Sequence, residues 1–289
     1  MRKKLTAVLL AATMLLTSGV TVFADRVDAV IDKPYLALGA DLSTDQRAAV
    51  LGLLGVDESE LANYDVISIT NADEHEYLDK YLDASIIGTR ALSSVLVVGK
   101  EAGNGIHVTT KNISYCTEGM YRNALLTAGI EDADITVAGP FSISGTAALV
   151  GAIKAYETMT GEEIDDENLD AANDELVLTG KLVEDIGDSE KAEDLMALVK
   201  QEVAENKLTS AEDIQNVVDQ ACDQLDIQLS EENQKQIAEL MKKIEGLDLD
   251  VDKLKDQAKD LYQKLEDLNF HVDKESVGNF FTRIIDAIV

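Results

Sequence analysis

Positive charge is scarce in this chain. Its 289 residues carry 25 Lys plus Arg against 55 Asp plus Glu, so the formal charge at pH 7 is 25 minus 55, or -30. Nucleic acid and anionic lipid are thereby excluded as default partners, because each is held by a basic surface that displaces counterions. Cysteine is nearly absent as well. Cys116 and Cys222 are too few for a disulfide-stapled scaffold even in an oxidising compartment. Cys222 also falls on an apolar helical stripe, where a buried free thiol is the plainer reading. The three His residues, His75, His107 and His271, are scattered, and no HExxH occurs, so there is no His-rich zinc pattern. Walker A, GxGxxG and GxSxG are missing too, which leaves nucleotide-binding and α/β-hydrolase readings without a motif and calls for no cofactor. After the first 24 residues no run of 18 apolar residues exists, so no later membrane anchor is expected.

What is present begins with an address. Arg2, Lys3 and Lys4 precede an apolar run from Leu5 to Leu16, and Val22-Phe23-Ala24 stands before Asp25. This is the order of a secretory signal peptide, with cleavage expected between Ala24 and Asp25 and a secreted, extracytoplasmic product. The apolar run is broken by Thr17, Ser18 and Gly19, short of the roughly 20 residues that span a bilayer. Hydrophobic residues make up 46% and charged residues 28%, enough apolar matter for a core and against wholesale disorder.

The remaining chain changes grammar once. From 25 to 160 short β-branched runs alternate with helical segments, and a mixed α/β domain built on a mixed β-sheet is expected. Ser43 to Leu54 reads as a helix with a Ser43/Gln46 capping box and a Gly55 stop. Asp65–Ile69 reads as a strand and Asp73–Leu82 as a helix. Leu92–Gly99 and Gly105–Thr110 read as strands joined in a hairpin by the turn-forming Lys100–Asn104. Met120–Ala128 reads as a helix, Asp134–Gly139 as a strand that Pro140 stops, and Gly145–Met159 as an Ala-rich helix.

The acidic segment 161–170 is read as a linker, and 171–289 as an acidic all-α domain. Residues 25–156 carry 9 basic and 19 acidic groups, whereas 157–289 carry 13 and 36. Ile214, Val217, Val218, Ala221, Cys222 and Leu225 form one helical stripe, Val251 to Leu268 a heptad seam, and Val277 to Ile288 a further stripe. The recurring starts at Leu208, Leu229 and Leu249 are read as helix punctuation by Thr, Ser and Asp. Asp248–Lys259 has three carboxylates at EF-hand spacing, but Lys253 and Lys259 stand where the turn Gly and bidentate Glu belong, so a capped helix start is favoured. Diffuse binding of divalent cations by the acidic surface remains open.

One stretch carries a candidate site. Between Gly139 and Gly151, Ser142, Ser144, Gly145 and Thr146 lie where a strand gives way to a helix, and free N–H groups with nearby hydroxyls suit a small anion. Arg90 in Gly88–Ser94 is a candidate partner through its bidentate fork. The structural alternative takes Ser144 as a plain N-cap and Arg90 as the answer to one of many carboxylates. The anion reading further expects Gly145→Val to leave the fold intact. No general base for a serine nucleophile is identifiable.

The runs Gly88–Ser114 and Met120–Gly161, with "LGADLSTDQ" at 38–46 and "LDVDKLKDQAKDLYQKL" at 249–265, resemble the YpuA-type family of secreted Firmicutes proteins, a domain of unknown function. That resemblance implies a bacterial, extracytoplasmic protein and transfers no catalytic role. The expected function is a non-catalytic binding or interaction module of the cell envelope, with an unknown protein or a small anionic ligand as partner. The alternative is an envelope hydrolase or transferase with its site near Ser142 to Thr146 and Arg90. A buried carboxylate or His beside those residues favours the enzyme, and a broad apolar groove favours the binder.

Overall fold

The computed structural model describes residues 33–161, 163–247 and 249–257. Most of the seam from Val251 to Leu268, the stripe from Val277 to Ile288, the proposed cleavage site and His271 lie outside them. In chain order the elements are β1 (Tyr35–Gly39), α1 (Thr44–Leu54), a 3-10 turn (Glu58–Asn63), β2 (Asp65–Ile69), α2 (Asn71–Leu78), α3 (Ala84–Ile87), β3 (Ser94–Gly99), β4 (Ile106–Ile113), α4 (Glu118–Thr127), β5 (Ala133–Ile143) and α5 (Thr146–Thr160). Four helices follow: α6 (Asp166–Ile186), α7 (Ser189–Asn206), α8 (Ala211–Gln224) and α9 (Glu231–Glu245). A mixed α/β region thus precedes a helical one, as the sequence pattern implies.

The five strands form one mixed sheet in the order β2-β1-β3-β5-β4. β1 runs parallel to β2 and antiparallel to β3, β3 is antiparallel to β5, and β5 is parallel to β4. The expected β3–β4 hairpin is therefore absent. β5 lies between the two strands and takes up the inner edge of each, because ladder pairing is decided by which buried faces match across the sheet as well as by the turn between neighbours. Pro140 also fails to end its strand. β5 pairs with β3 only through Ala133–Ala138, so Pro140 sits beyond that ladder, where its missing N–H costs nothing on the β3 side. On the β4 side the register slips at Asn112, whose φ is 60°, and its side-chain amide donates to the Gly139 carbonyl at 3.1 Å.

Both faces of the sheet are covered. Alternation along β1 sends Tyr35 and Ala37 into a core shared with α2, α4 and α5, and Leu36 and Leu38 into a smaller core under α1. α5 approaches so closely that a Cβ on Gly151 would stand 2.8 Å from that of Ala37. The α1 start and stop follow the local signals: Ser43 and Gln46 form the capping box, and Gly55 closes the helix in the left-handed conformation.

The helical region has its own core, with Leu182, Leu195, Val199, Ile214, Val218, Ile237 and Met241 inside it. Ser210 and Ser230 cap α8 and α9, and Asp250 caps the helical residues 251–257, where its side chain accepts from the Asp252 and Lys253 amides. The stripe through Ile214 and Leu225 is buried, Cys222 included, and both cysteines are free thiols.

The two regions meet along α6, whose first turn starts within the segment read as a linker. Ala172 and Leu176 join the sheet-side core, while Ala171, Leu178 and Leu182 join the helical one. At this seam Lys200 and Glu175, both with no exposed side-chain surface, form an ion pair at 3.0 Å. Lys200 also donates to the Asn123 carbonyl at 2.9 Å and to Thr127 Oγ1 at 3.0 Å, which ties α7 to α4. Asp170 is held by Lys243 at 2.8 Å and by Lys80 at 2.7 Å, and Lys253 pairs with Asp132 at 2.6 Å.

Candidate functional site

β5 ends at Ile143, and the chain must turn sharply to start α5 beneath the sheet. Gly145 makes that turn with φ 99°, a left-handed conformation that a side chain seldom adopts. It is buried, its carbonyl accepts from the Tyr121 hydroxyl at 2.5 Å, and a Cβ there would meet that same oxygen at 2.7 Å and Ile113 Cγ2 at 2.8 Å. The expectation that Gly145→Val spares the fold is overturned by this confinement. Ser144 is not the N-cap either. Gly145 occupies the cap position without a side-chain bond, and a first-turn amide, Ala148 N–H, is satisfied instead by Ser93 Oγ at 2.9 Å from the chain leading into β3.

Around this turn lies a cavity of about 390 Å³. Arg90, Ser144 and Thr146 all line it, whereas Ser142 and Gly145 do not. Its apolar wall comes from Ile86, Ile87, Leu92, Phe141 and Ile143, with Tyr115 alongside, and Ser85, Thr89, Ser93 and Ser114 contribute further hydroxyls. Arg90 is exposed, and among the described residues no carboxylate stands within ion-pair distance of it. Phe141 is 45% exposed although it is aromatic. The helical region supports one wall from behind, because the Tyr115 hydroxyl would stand 2.5 Å from a Cβ on Gly180 of α6. Burial raises the Tyr115 phenol to about 12.

At the cavity floor stands a residue that the motif search passed over. Glu74 is 1% exposed, its Oε1 accepts from Thr146 Oγ1 at 2.7 Å, and its Oε2 accepts from the Asn71 amide at 3.2 Å. Burial pushes its carboxyl above the usual carboxylate range, against the pull of those two donors. Ser144 Oγ lies 3.2 Å from Thr146 Oγ1, so a chain of three polar groups runs from the cavity to Glu74. The signal for Glu74 was available: it shares a helical face with Leu78, four residues on, and an acid at such a position is buried when the face is.

The other titratable candidates are elsewhere. His75 pairs with Asp79 at 2.5 Å, and His107 Nε2 lies 3.0 Å from the Asn104 carbonyl. The Cys116 thiol, fully buried near Tyr121, is pushed up to about 12 by burial and is no nucleophile at neutral pH. Among the described residues no group of three or more His, Cys, Asp or Glu side chains is placed to hold a metal ion, and no helix is long and apolar enough to cross a membrane. A second, larger hollow of about 650 Å³ between α2, α5 and α6 has carboxylates, including Glu76, Glu157 and Asp166, for half of its lining residues.

Comparison with known proteins places this chain. The family described as "Protein of unknown function (DUF1002)" matches residues 38–261. A protein of Bacillus subtilis (strain 168), "Uncharacterized protein YpuA", is 38% identical over 291 residues, covering 99% of this chain and 96% of the relative. No solved structure matches. The chain belongs to the DUF1002 family.

Proposed function

We propose that this DUF1002 protein acts outside the cytoplasmic membrane as a non-catalytic binding module that takes a small anionic ligand in the cavity of Arg90, Ser144 and Thr146. The observation that carries the reading is the convergence of Arg90 with the Ser144–Thr146 turn on one cavity, although the two stand 54 positions apart in the chain. A guanidinium that has no carboxylate partner among the described residues, in a protein with a formal charge of -30, is a place where an anion can settle. The cavity volume falls in the range of small-molecule sites, roughly 300 to 1,000 Å³.

Thermal shifts with acetate, phosphate and sulfate, each matched to chloride in ionic strength, test it. One or more of these anions should stabilise the wild type and fail to stabilise Arg90→Gln. Equal shifts in both proteins would refute the reading. The address is tested separately: the protein recovered outside the membrane should lack its first 24 residues, and a membrane-held species retaining Arg2 to Leu16 would overturn it.

Glu74 favours a second reading, an envelope hydrolase or transferase, because a buried carboxylate stands beside the Ser144 and Thr146 hydroxyls. Against it, both Glu74 oxygens are already engaged, and Ser144 contacts a hydroxyl rather than a base. Turnover of a model acyl ester that disappears in both Ser144→Ala and Glu74→Gln would replace the binding reading with the enzymatic one.

A further inference from the structure

The cavity has more to say about its ligand than its sign. Among the described residues, Arg90 is the sole Lys or Arg lining it, and Glu74 is the sole carboxylate. The one guanidinium matches a single negative charge. A dianion such as phosphate would bring a second charge toward Glu74 and into the field of an acidic protein. The planar fork of Arg90 fits the two oxygens of a carboxylate, and the Ser144 hydroxyl lines the same space as a further donor. The same cavity also has an apolar lining. Ile86, Leu92 and Ile143 line it, and Phe141 leaves an aromatic face 45% exposed at the same cavity. Only Val66 and Phe141 are large hydrophobic residues left exposed among the described residues, and Val66 stands on the outer strand β2 of the sheet. A half-exposed ring and a guanidinium lining one cavity are the arrangement that receives an amphiphilic ion.

We infer that the ligand is a monocarboxylate with an apolar body, its head on Arg90 and its body against Ile143 and Phe141. This rests on the anion-binding reading above and narrows it to one chemical class. Burial of the body contributes through the apolar area withdrawn from water, so affinity should grow with the body and not only with the head.

The test uses the purified protein and defined probes at constant ionic strength. Benzoate supplies head and body, benzamide the body with a neutral head, acetate the head alone, and inorganic phosphate a compact polyanion. By calorimetry or chemical-shift titration benzoate should bind at least about tenfold more tightly than acetate, benzamide or phosphate. Arg90→Gln should lose about tenfold for benzoate, and Phe141→Ala should weaken benzoate while leaving acetate unchanged. Both residues are exposed, so neither change threatens the fold, and an unchanged far-ultraviolet dichroism spectrum checks that. Acetate or phosphate binding as well as benzoate, with dependence on Arg90, would overturn the carboxylate-plus-body inference and leave the anion reading standing. Benzamide equal to benzoate would overturn both, as would no saturable binding of any probe.

Discussion

The sheet region, residues 33–160, and the helical region from Asp166 onward bury polar groups for different ends. In the sheet region Glu74, Thr146, Ser93 and Ser94 are all buried close to the cavity or to the ladder edges that frame it, and their bonds join segments 55 to 72 positions apart. In the helical region the caps Ser210, Ser230 and Asp188 close bonds within three residues, and the long-range polar contacts join helix to helix, as Asn233 to Asp185 and Lys243 to Asp174 do, or reach across the seam to α4 and to Lys80 just after α2. The sheet region is built to shape a pocket. The helical region starts its helices by local caps and is fastened to the first by a few polar contacts, of which those that Lys200 and Glu175 make to Asn123 and Thr127 of α4 are the most buried.

The largest expected effect tests that fastening. Lys200→Met leaves the Glu175 carboxylate buried without its cation and should cost about 3 to 5 kcal/mol in urea unfolding. Glu175→Gln added to Lys200→Met should restore part of the loss. The fastening also bears on the expected two-unit organisation. Residues 161–165 between α5 and α6 are exposed where described, except for half-buried Ile164, so limited proteolysis should nick there. The two fragments should stay associated on size exclusion in the wild type and separate in Lys200→Met. Independent unfolding of the two regions in the wild type would break the comparison, since a coupled seam makes one transition.

Next is Gly145→Val, confined to the sheet region. A β-branched side chain at φ 99°, meeting the Tyr121 hydroxyl at 2.7 Å, should destabilise by about 2 to 4 kcal/mol. Ser144→Ala should cost well under about 1 kcal/mol, because Ser144 does not cap α5. If the two variants were equally mild, the turn would be less constrained than its contacts require.

A smaller effect comes with acid. Burial pushes the Asp73 carboxyl up, but the Lys154 ammonium and the Thr70 hydroxyl and amide outweigh it and hold the group at about 2, below its ordinary 3.8. A depressed carboxyl contributes stability that is present above 3.8 and is lost as pH falls through the folded value, here between about pH 4 and 2. Glu74 has the opposite sign: with its carboxyl raised by burial, its contribution is present below the ordinary value of 4.5 and fades as pH rises through the folded one. Asp73→Asn should therefore flatten the acid limb of a stability–pH profile by up to about 2 kcal/mol, and an unchanged limb would show that the Lys154 and Thr70 contacts do not persist in solution.

The smallest effect is electrostatic and should favour the helical region, where 36 acidic groups face 13 basic ones from 157 onward. Monovalent salt should raise its thermal stability by a few degrees, and millimolar divalent cations somewhat more at equal ionic strength. A stoichiometric calcium transition at micromolar concentration would instead point to a dedicated site.

Much of this was legible residue by residue. The capping box at Ser43, the strand Asp65–Ile69 and the stripe from Ile214 to Leu225 follow from signals a few residues wide, and the structure has them where those signals stand. Arg90, Ser144 and Thr146 were singled out by residue type. That they share a cavity, and that Ser142 and Gly145 stand outside its wall, depended on how β5 turns into α5.

The sequence by itself determined the charge imbalance, the change from mixed to helical pattern and the points where most helices start, because each depends on composition or on bonds that close within one turn. Tertiary structure alone decided that β5 separates β3 from β4, that Ser93 rather than Ser144 satisfies the start of α5, and that Glu74 and Lys200 are buried with partners 72 and 25 positions away. The physical reason is common to all three. A strand edge, a free amide or a buried charge accepts any partner of the right chemistry, and which one it meets is settled only when the faces of the sheet and helices close on one another.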